Sequence, residues 1–236
     1  ANSSATTLAV ATSVAGGGGA VAGAGSDTEV KVQGTATAYL GSNAVISTHN
    51  DIQVTSESTG SATSKATGVA AAFSGGIGLA VGVALAESTA NIATHTYHSG
   101  SITDARNVTL DSHNVSTAES VSFALAGGVS YGLQLSGSGS EAIATASPAV
   151  SSRVDGGTIG SNSDRIRGTV VVRARSNADA DSDSKGIAVG NGISIAAAIA
   201  RSTVSPDIDA YLTSSSSVYA VGNVTIEALQ NYALDE

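Results

Sequence analysis

"GGIGLAVGVALAE", residues 75–87, is the most apolar stretch of the chain and decides how its fold is to be understood. Residues 68–86 carry no charge, so a membrane helix, a core helix and a strand have to be separated. Four glycines fall within this stretch, and each would cost a helix interior about 1 kcal/mol relative to Ala. Large side chains recur at every second position, a period typical of a strand. These are Ile77, Leu79, Val81, Val83 and Leu85. The stretch therefore predicts a strand.

The residues between these large side chains are small and also apolar. They are Gly78, Ala80, Gly82, Ala84 and Ala86. A strand with two apolar faces is typical of a parallel sheet that is covered on both sides. We therefore expect a second wall of the protein to pack very closely on the small face. We expect the large face to be covered as well, by another wall or by a second chain.

Similar segments recur along the chain. "DIQVTSES", "NVTLDSHN", "TVVVRARS" and "NVTIEALQ" begin at Asp51, Asn107, Thr169 and Asn223, which are nearly evenly spaced. Gly-led apolar segments, "GGVSYGLQL" and "NGISIAAAIA", repeat the opening stretch in the same phase. These copies run into polar or charged residues, which argues against a membrane span. Residues 1–236 are predicted to form a single repeat array.

Repeats of this length, rich in Gly and β-branched residues and without a helical segment, predict an all-β fold. The specific prediction is a parallel β-solenoid (β-helix) built from about four repeats of 54–62 residues. Whether each repeat forms one wide coil or two narrower coils is left open at this point. An array of immunoglobulin-like sandwiches is the alternative, and the absence of Trp together with 3% aromatic residues argues against it.

Two segments carry a resemblance to a known class of proteins: "ATAYLGSNAVISTHNDIQVTSES" at 36–58 and "IDAYLTSSSSVYAVGNVTIEAL" at 208–229. They resemble the repeats of large bacterial surface proteins, the filamentous haemagglutinin-like and leukotoxin-like adhesins. In those repeats a Gly-led apolar strand is followed by Ala-Tyr-Ile-Gly and then by Gly-Asn/Asp-Val-x-Val-x-Ala. The resemblance implies a secreted, elongated β-solenoid at the bacterial cell surface that acts as a stalk or adhesive surface. It implies no catalytic residue.

The composition narrows the classes of function. A formal charge of −9 and a pI of about 4.7 make nucleic acid a poor candidate partner. The absence of Cys excludes disulfides, thiol catalysis and Cys-ligated zinc. With two Phe, six Tyr and no Trp, the chain has few side chains to line a deep ligand pocket or to stack on sugars. We therefore predict that it is not an enzyme, and we assign no catalytic or cofactor-binding residue.

Acidic residues provide the candidate metal site. Asp179, Asp181 and Asp183 alternate with small residues, so on a strand the three carboxylates share one face. The twelfth residue after each repeat start is Thr63, Glu119, Asp181 or Asp235. If the repeats stack in register, these acids form a column with a spacing of about 4.8 Å. Ca²⁺ takes such oxygen ligands, so Glu119, Asp179, Asp181 and Asp183 are a candidate calcium site. The alternative is a solvated acidic face that keeps the protein soluble.

Histidines are a weaker candidate for metal binding. His95 and His98 are three residues apart, so on a strand they face opposite sides and cannot share a metal ion. We expect them to be exposed to solvent.

Taken together, the sequence predicts a non-catalytic structural segment of an extracellular bacterial fibre, stalk or adhesin. Its expected partners are copies of itself or adjoining repeats of a longer chain, associating through sheet edges or apolar faces. Neither nucleic acid binding nor membrane insertion is expected. The alternative function is a glycan-binding or polysaccharide-cleaving β-helix module, whose partner would be a host or surface glycan.

Overall fold

The computed structural model of the protein describes residues 2–231, and every regular element within that range is a β-strand. The strands in chain order are β1 (Asn2–Gly17), β2 (Val21–Leu40), β3 (Val45–Ser47), β4 (Ile52–Ser74), β5 (Gly78–His98), β6 (Ser101–Thr103), β7 (Val108–Ser130), β8 (Gln134–Ala146), β9 (Ala149–Val154), β10 (Thr158–Ile159), β11 (Val170–Val189), β12 (Ile193–Val204), β13 (Asp207–Leu212), β14 (Ser217–Val218) and β15 (Val224–Gln230).

The strands form three parallel sheets. Sheet A has the order β1-β4-β7-β11-β15, and sheet C contains β3, β6, β10 and β14. In sheet B, β2 pairs with β5, β5 pairs with both β8 and β9, and these pair in turn with β12 and β13. The chain passes from sheet A to sheet B to sheet C and then returns to sheet A. The predicted all-β class with parallel sheets is confirmed, and the arrangement is consistent with a β-solenoid.

The pairing register follows the sequence repeats. In sheet A, Ile52 pairs with Val108, Val108 with Val170, and Val170 with Val224. Each of these residues directly follows one of the four repeat starts, so the ladder joins equivalent positions of successive repeats. Between two successive strands of sheet A, the chain passes once through sheet B and once through sheet C.

The corner between sheets C and A absorbs a difference in length. Five residues separate Ile102 from Val108 and Val218 from Val224, whereas ten residues separate Ile159 from Val170. The extra residues make a turn in which the Ser161 N–H donates to the carbonyl of Asp164 at 3.0 Å. The strands that flank this corner keep their ladders.

The interior is wide near sheet C and thin elsewhere. Large aliphatic side chains fill the space where the three sheets meet, and these include Ile102, Leu110, Ile159, Ile166 and Val172. Between sheets A and B the buried residues are mainly Ala, Ser and Gly. A Cβ added at Gly82 would lie 2.5 Å from the carbonyl oxygen of Leu125 on the facing sheet. The two backbones therefore approach so closely that even a methyl group does not fit.

Hydroxyl groups cross the thin layer between sheets A and B. Ser56 contacts Thr96 at 2.7 Å and Ser88 contacts Ser120 at 2.8 Å, oxygen to oxygen. Thr28 and Ser64 form a third such pair at 2.7 Å. Because these buried hydroxyls bond to each other, strands that look polar in sequence can still face the interior.

Strand β5 tests the interpretation of the opening stretch. Residues 78–98 are extended, and Ala80 and Ala84 are fully buried, so the predicted strand and the tightly packed small face are confirmed. The large face is different, because Leu79, Val81, Val83 and Leu85 are 37–39% exposed. No sheet within the described residues covers this face, so its cover by a second chain stays a prediction. Sheet A can approach only the face without bulky side chains, which leaves the large ones on the outer surface.

Candidate functional site

The predicted acidic residues lie where the alternation placed them. Asp179, Asp181 and Asp183 are exposed on the outer face of β11, while Ala178 is buried on the opposite face. The predicted column is in register as far as the structure describes it, since Thr63 pairs with Glu119 and Glu119 with Asp181. Asp235, the remaining member, lies outside the described residues.

The same acidic residues do not assemble into a cluster. On β7, Asp179 pairs with Thr117 and Asp183 pairs with Val121. Of the three aspartates, Asp181 therefore has an acidic partner on β7, which is Glu119. Among residues 2–231, no group of three or more His, Asp or Glu side chains lies close enough to hold a metal ion. Calcium binding by Glu119, Asp179, Asp181 and Asp183 stays a prediction.

The two histidines of β5 face opposite sides, but the expectation of exposure is wrong for His98. His98 is fully buried, and its Nε2–H donates to the carbonyl of Thr158 at 3.3 Å. Gly157 leaves room for the ring, because a Cβ there would lie 2.8 Å from its Cδ2 atom. Burial lowers the pKa of His98. His95 is half-buried with Nδ1 2.8 Å from the Ser151 hydroxyl, and burial lowers its pKa as well.

The outer surface of sheet B carries the largest exposed apolar feature of β5. Leu79, Val81, Val83 and Leu85 form a ridge along β5. The register places glycines on either side of Val81 and Val83: Gly23 and Gly25 on β2, and Gly137 and Gly139 on β8. The neighbours of Leu79 are Val21 and Leu135. Beyond the β8 glycines, β12 provides a second ridge with Ile193, Ile195 and Ile199, which are 50–67% exposed. We call this surface the ridge-and-groove face.

The glycine grooves are not required by packing inside the chain. A Cβ added at Gly25, Gly137 or Gly139 would meet no atom within 4 Å. These positions also lie within strands, where Gly is less favourable than Ala by roughly 0.5–1 kcal/mol. The grooves are therefore open troughs on the outside of the sheet, in contrast to Gly82 on the inside.

Charged residues border the ridge-and-groove face at one end. Acidic side chains occupy β2, β5 and β8 there: Asp27, Glu29, Glu87 and Glu141. Arg201 on β12 is in the same row as Glu29, and Lys31 forms an ion pair with Glu29. The apolar surface thus ends in a mixed, predominantly acidic margin.

A second apolar surface lies at the turns between sheets A and B. Phe73, Val129 and Tyr131 line a shallow cleft there, and the Tyr131 side chain is almost fully exposed. Phe73 and Val129 are paired neighbours on adjacent strands. The edge of the molecule far from sheet C is therefore apolar.

Near sheet C the outer surface of sheet B carries an aromatic ladder. The rings of Tyr39 and Tyr97 are stacked with centroids 5.0 Å apart, and the Arg153 guanidinium lies 5.1 Å from the Tyr97 centroid. Tyr211 occupies the next position in register. The nearly even spacing of positions 39, 97, 153 and 211 could have predicted this ladder from the sequence. The recurrence of "AYL" identifies only the first and last of these positions.

Ion pairs link neighbouring strands of sheet A and its entry loops. Arg106 and Asn107 donate to Asp51, and Arg175 donates to Asp111 at 2.6 Å. The hydrogen bonds from Arg106 and Asn107 lower the pKa of the Asp51 carboxyl to about 2. These charges are matched from one repeat to the next, which is an arrangement that holds strands in register.

Comparisons with known proteins do not identify the chain. No protein-family model, no curated protein and no solved structure matches it. Among the described residues, no helix is long and apolar enough to cross a membrane.

Proposed function

We propose that this chain is a non-catalytic structural segment of an extracellular bacterial fibre, stalk or adhesin, built as a parallel β-solenoid of about four repeats. The observation that carries the proposal is the pairing of equivalent residues of successive repeats across three sheets. The small inner side chains of each repeat are buried against the facing sheet, and the backbone hydrogen bonds of each strand are made with the neighbouring repeats. Stacked repeat proteins are stabilised in this way.

The dimensions of the sheets support a role in longer assemblies. A strand of 23 residues, the length of β4 and β7, spans about 75 Å, whereas five stacked strands rise only about 20 Å. The described chain is therefore a slab that is wider than it is tall. β1 and β15 are the outermost strands of sheet A, and adjoining repeats or further copies would extend the sheet by pairing there.

The polar groups of the slab favour a structural role over catalysis. Several ion pairs join neighbouring repeats, such as Asp51 with Arg106 and Asp111 with Arg175. The Tyr39 and Tyr97 rings stack on each other, which takes up one face of each ring. Absence of Cys and the resemblance to surface adhesins support placement outside the bacterial cell.

Solution scattering and negative-stain imaging of the purified chain test this proposal. We expect a flat particle with a radius of gyration of about 22 Å from the slab dimensions, and filaments about 75 Å wide once copies stack end to end. A round particle with a radius of gyration of about 18 Å, the value for a compact domain of this length, would contradict the proposal. A fall in the viscosity of a polysaccharide solution on incubation with the chain would favour the alternative function, a polysaccharide-cleaving β-helix module.

A further inference from the structure

We propose that a second copy of this chain binds to the ridge-and-groove face, related to the first by a twofold axis that runs parallel to the strands between β5 and β8. This inference deepens the proposed function and depends on the stacked strands described there. It commits to self-association through a side of the slab, in addition to any pairing at its ends.

The register shows why the face is complementary to itself. Residues that pair across β2, β5, β8 and β12 form a row perpendicular to the strands. A twofold axis parallel to the strands sets each row opposite the same row of the second copy and reverses the order of the strands. β5 of one copy then faces β8 of the other, and β2 faces β12. Val81 therefore meets Gly137 of the second copy, and Val83 meets Gly139. Val81 and Val83 thus enter a groove that contains no side chain, whereas Leu79 meets Leu135 of the second copy.

The outer strands repeat this complementarity. Gly23 of β2 meets Ile195 of β12, so a groove again receives a ridge. Gly25 meets Ala197, which is a pairing of two small residues. The four glycines of each copy are therefore all used in one contact, and a close-packed interface needs such interdigitation. In the neighbouring row Val21 meets Ile193, so this end of the contact is apolar on both sides but does not interdigitate.

The other face-to-face symmetry does not fit. A twofold axis along the stacking direction would set β5 against β5 and β8 against β8. The ridge that contains Val81 would then oppose the same ridge of the second copy, and the groove at Gly139 would oppose a groove. Ridges would hold the sheets apart while facing grooves left voids, which costs packing energy. The rows that contain Val81 and Val83 therefore favour the axis parallel to the strands.

Charge supports the same orientation at the margin of the face. In the row that contains Glu29, Glu87, Ile143 and Arg201, the reversed strand order places Glu29 opposite Arg201 of the second copy. The symmetry makes this ion pair twice. Glu87 falls opposite Ile143, so its carboxylate has to turn to solvent.

The next row inward marks where the apolar contact ends. Asp27 would face Ile199 of the second copy, and Leu85 would face Glu141. These two carboxylates gain no partner from the contact. They have to stay hydrated at its rim, as interface rims usually do.

The area of the face agrees with a specific but weak contact. Nine residues along four strands cover about 30 Å by about 19 Å, or roughly 600 Å² per copy. The total of about 1,200 Å² lies at the lower end of specific interfaces between proteins. We therefore expect a reversible dimer with a dissociation constant on the order of 10–100 μM.

Sedimentation velocity over a range of about 1–500 μM protein tests the contact. We expect the wild-type chain to dimerise, and Gly139→Leu to weaken the dimer at least tenfold by filling the groove. Gly16→Leu is the matched control, because a Cβ at Gly16 also meets no atom within 4 Å but lies on β1 of sheet A. This variant should dimerise like the wild-type chain.

A charge-reversal cycle tests the orientation. Glu29→Arg and Arg201→Glu should each weaken the dimer at least threefold, because each creates two like-charge contacts. The double variant should recover the affinity, since the pair is restored with its signs exchanged. Recovery would not occur if the two residues acted separately.

The outcomes separate this inference from the proposed function. A monomer at every concentration, in a chain whose scattering still shows a flat slab, overturns the dimer and leaves the proposed function standing. A dimer that Gly139→Leu and Gly16→Leu weaken equally also overturns it. A compact round particle overturns the proposed function and this inference together.

Discussion

Substitution of Gly82 by Ala probes the close approach of sheets A and B. The added methyl carbon would lie 2.5 Å from the Leu125 carbonyl oxygen and 3.0 Å from its carbonyl carbon. Ordinary van der Waals contact begins near 3.4 Å, so the sheets must separate locally by 3.4 − 2.5 = 0.9 Å. Both obstructing atoms belong to a backbone that is held in a ladder on each side, and no side-chain rotation can relieve the overlap.

The cost follows from what that separation disturbs. Overpacking of a well-packed core usually costs about 1–3 kcal/mol. Hydroxyl bridges nearby in the same layer, such as Ser140 to Ser184 at 2.7 Å, would lengthen and weaken, each contributing about 1 kcal/mol. We therefore expect Gly82→Ala to reduce the free energy of unfolding by about 3 kcal/mol. For a chain of this size that lowers the melting temperature by roughly 6–12 °C.

Circular dichroism during thermal and urea unfolding measures the effect, and Gly25→Ala provides the matched control. A Cβ at Gly25 meets no atom within 4 Å, and Ala is favoured over Gly in a strand by roughly 0.5–1 kcal/mol. This variant should therefore unfold at the wild-type temperature or slightly above it. If Gly82→Ala is as stable as Gly25→Ala, the sheets are not as close as described, and the account of the small inner residues fails.

Three further predictions concern ionisable groups. Because burial lowers the pKa of His98, the stability that its neutral form contributes is complete above the ordinary value of 6.5 and is lost as the pH falls below it. His98→Gln should therefore flatten the loss of melting temperature between pH 7 and pH 5, and an unchanged slope would contradict the burial of the ring. The Asp51 carboxyl should titrate near pH 2 by NMR, and Arg106→Gln should return its pKa towards 3.8; an unchanged value would contradict the assigned hydrogen bonds. If the predicted calcium site forms, EDTA should lower the melting temperature of the wild-type chain, and Asp181→Asn should abolish that response. A wild-type melting temperature that EDTA leaves unchanged would refute the calcium site.

Local alternation and long-range spacing made much of the fold predictable. The period of two in Ile77–Leu85 identified a strand, and the intervals between the repeat starts reappear in the ladder that contains Ile52 and Val108. The small residues predicted a closely packed wall on their face, and sheet A supplies it at Ala80 and Ala84. The apolar pattern does not show whether the face with Leu79 is covered by this chain or by a second one, and no sheet among the described residues covers it.

The candidate sites were less accessible to sequence reasoning because they depend on register between strands. The shared face of Asp179 and Asp181 follows from alternation on one strand. Predicting the Tyr39–Tyr97 stack requires knowledge of which residues of β2 and β5 pair. Predicting the burial of His98 requires knowledge of the space that Gly157 leaves for its ring. Neither the pairing nor this space is evident from any short segment of the chain.

The longer turn between Ile159 and Val170 shows where this architecture accepts extra sequence. Five additional residues leave the flanking strands aligned, and residues 162–165 lie fully at the surface. A one-residue insertion inside a strand would instead turn every following inward side chain to the other face. The corner is thus the natural place for a lineage, or a protein engineer, to graft a recognition loop onto an otherwise inflexible frame.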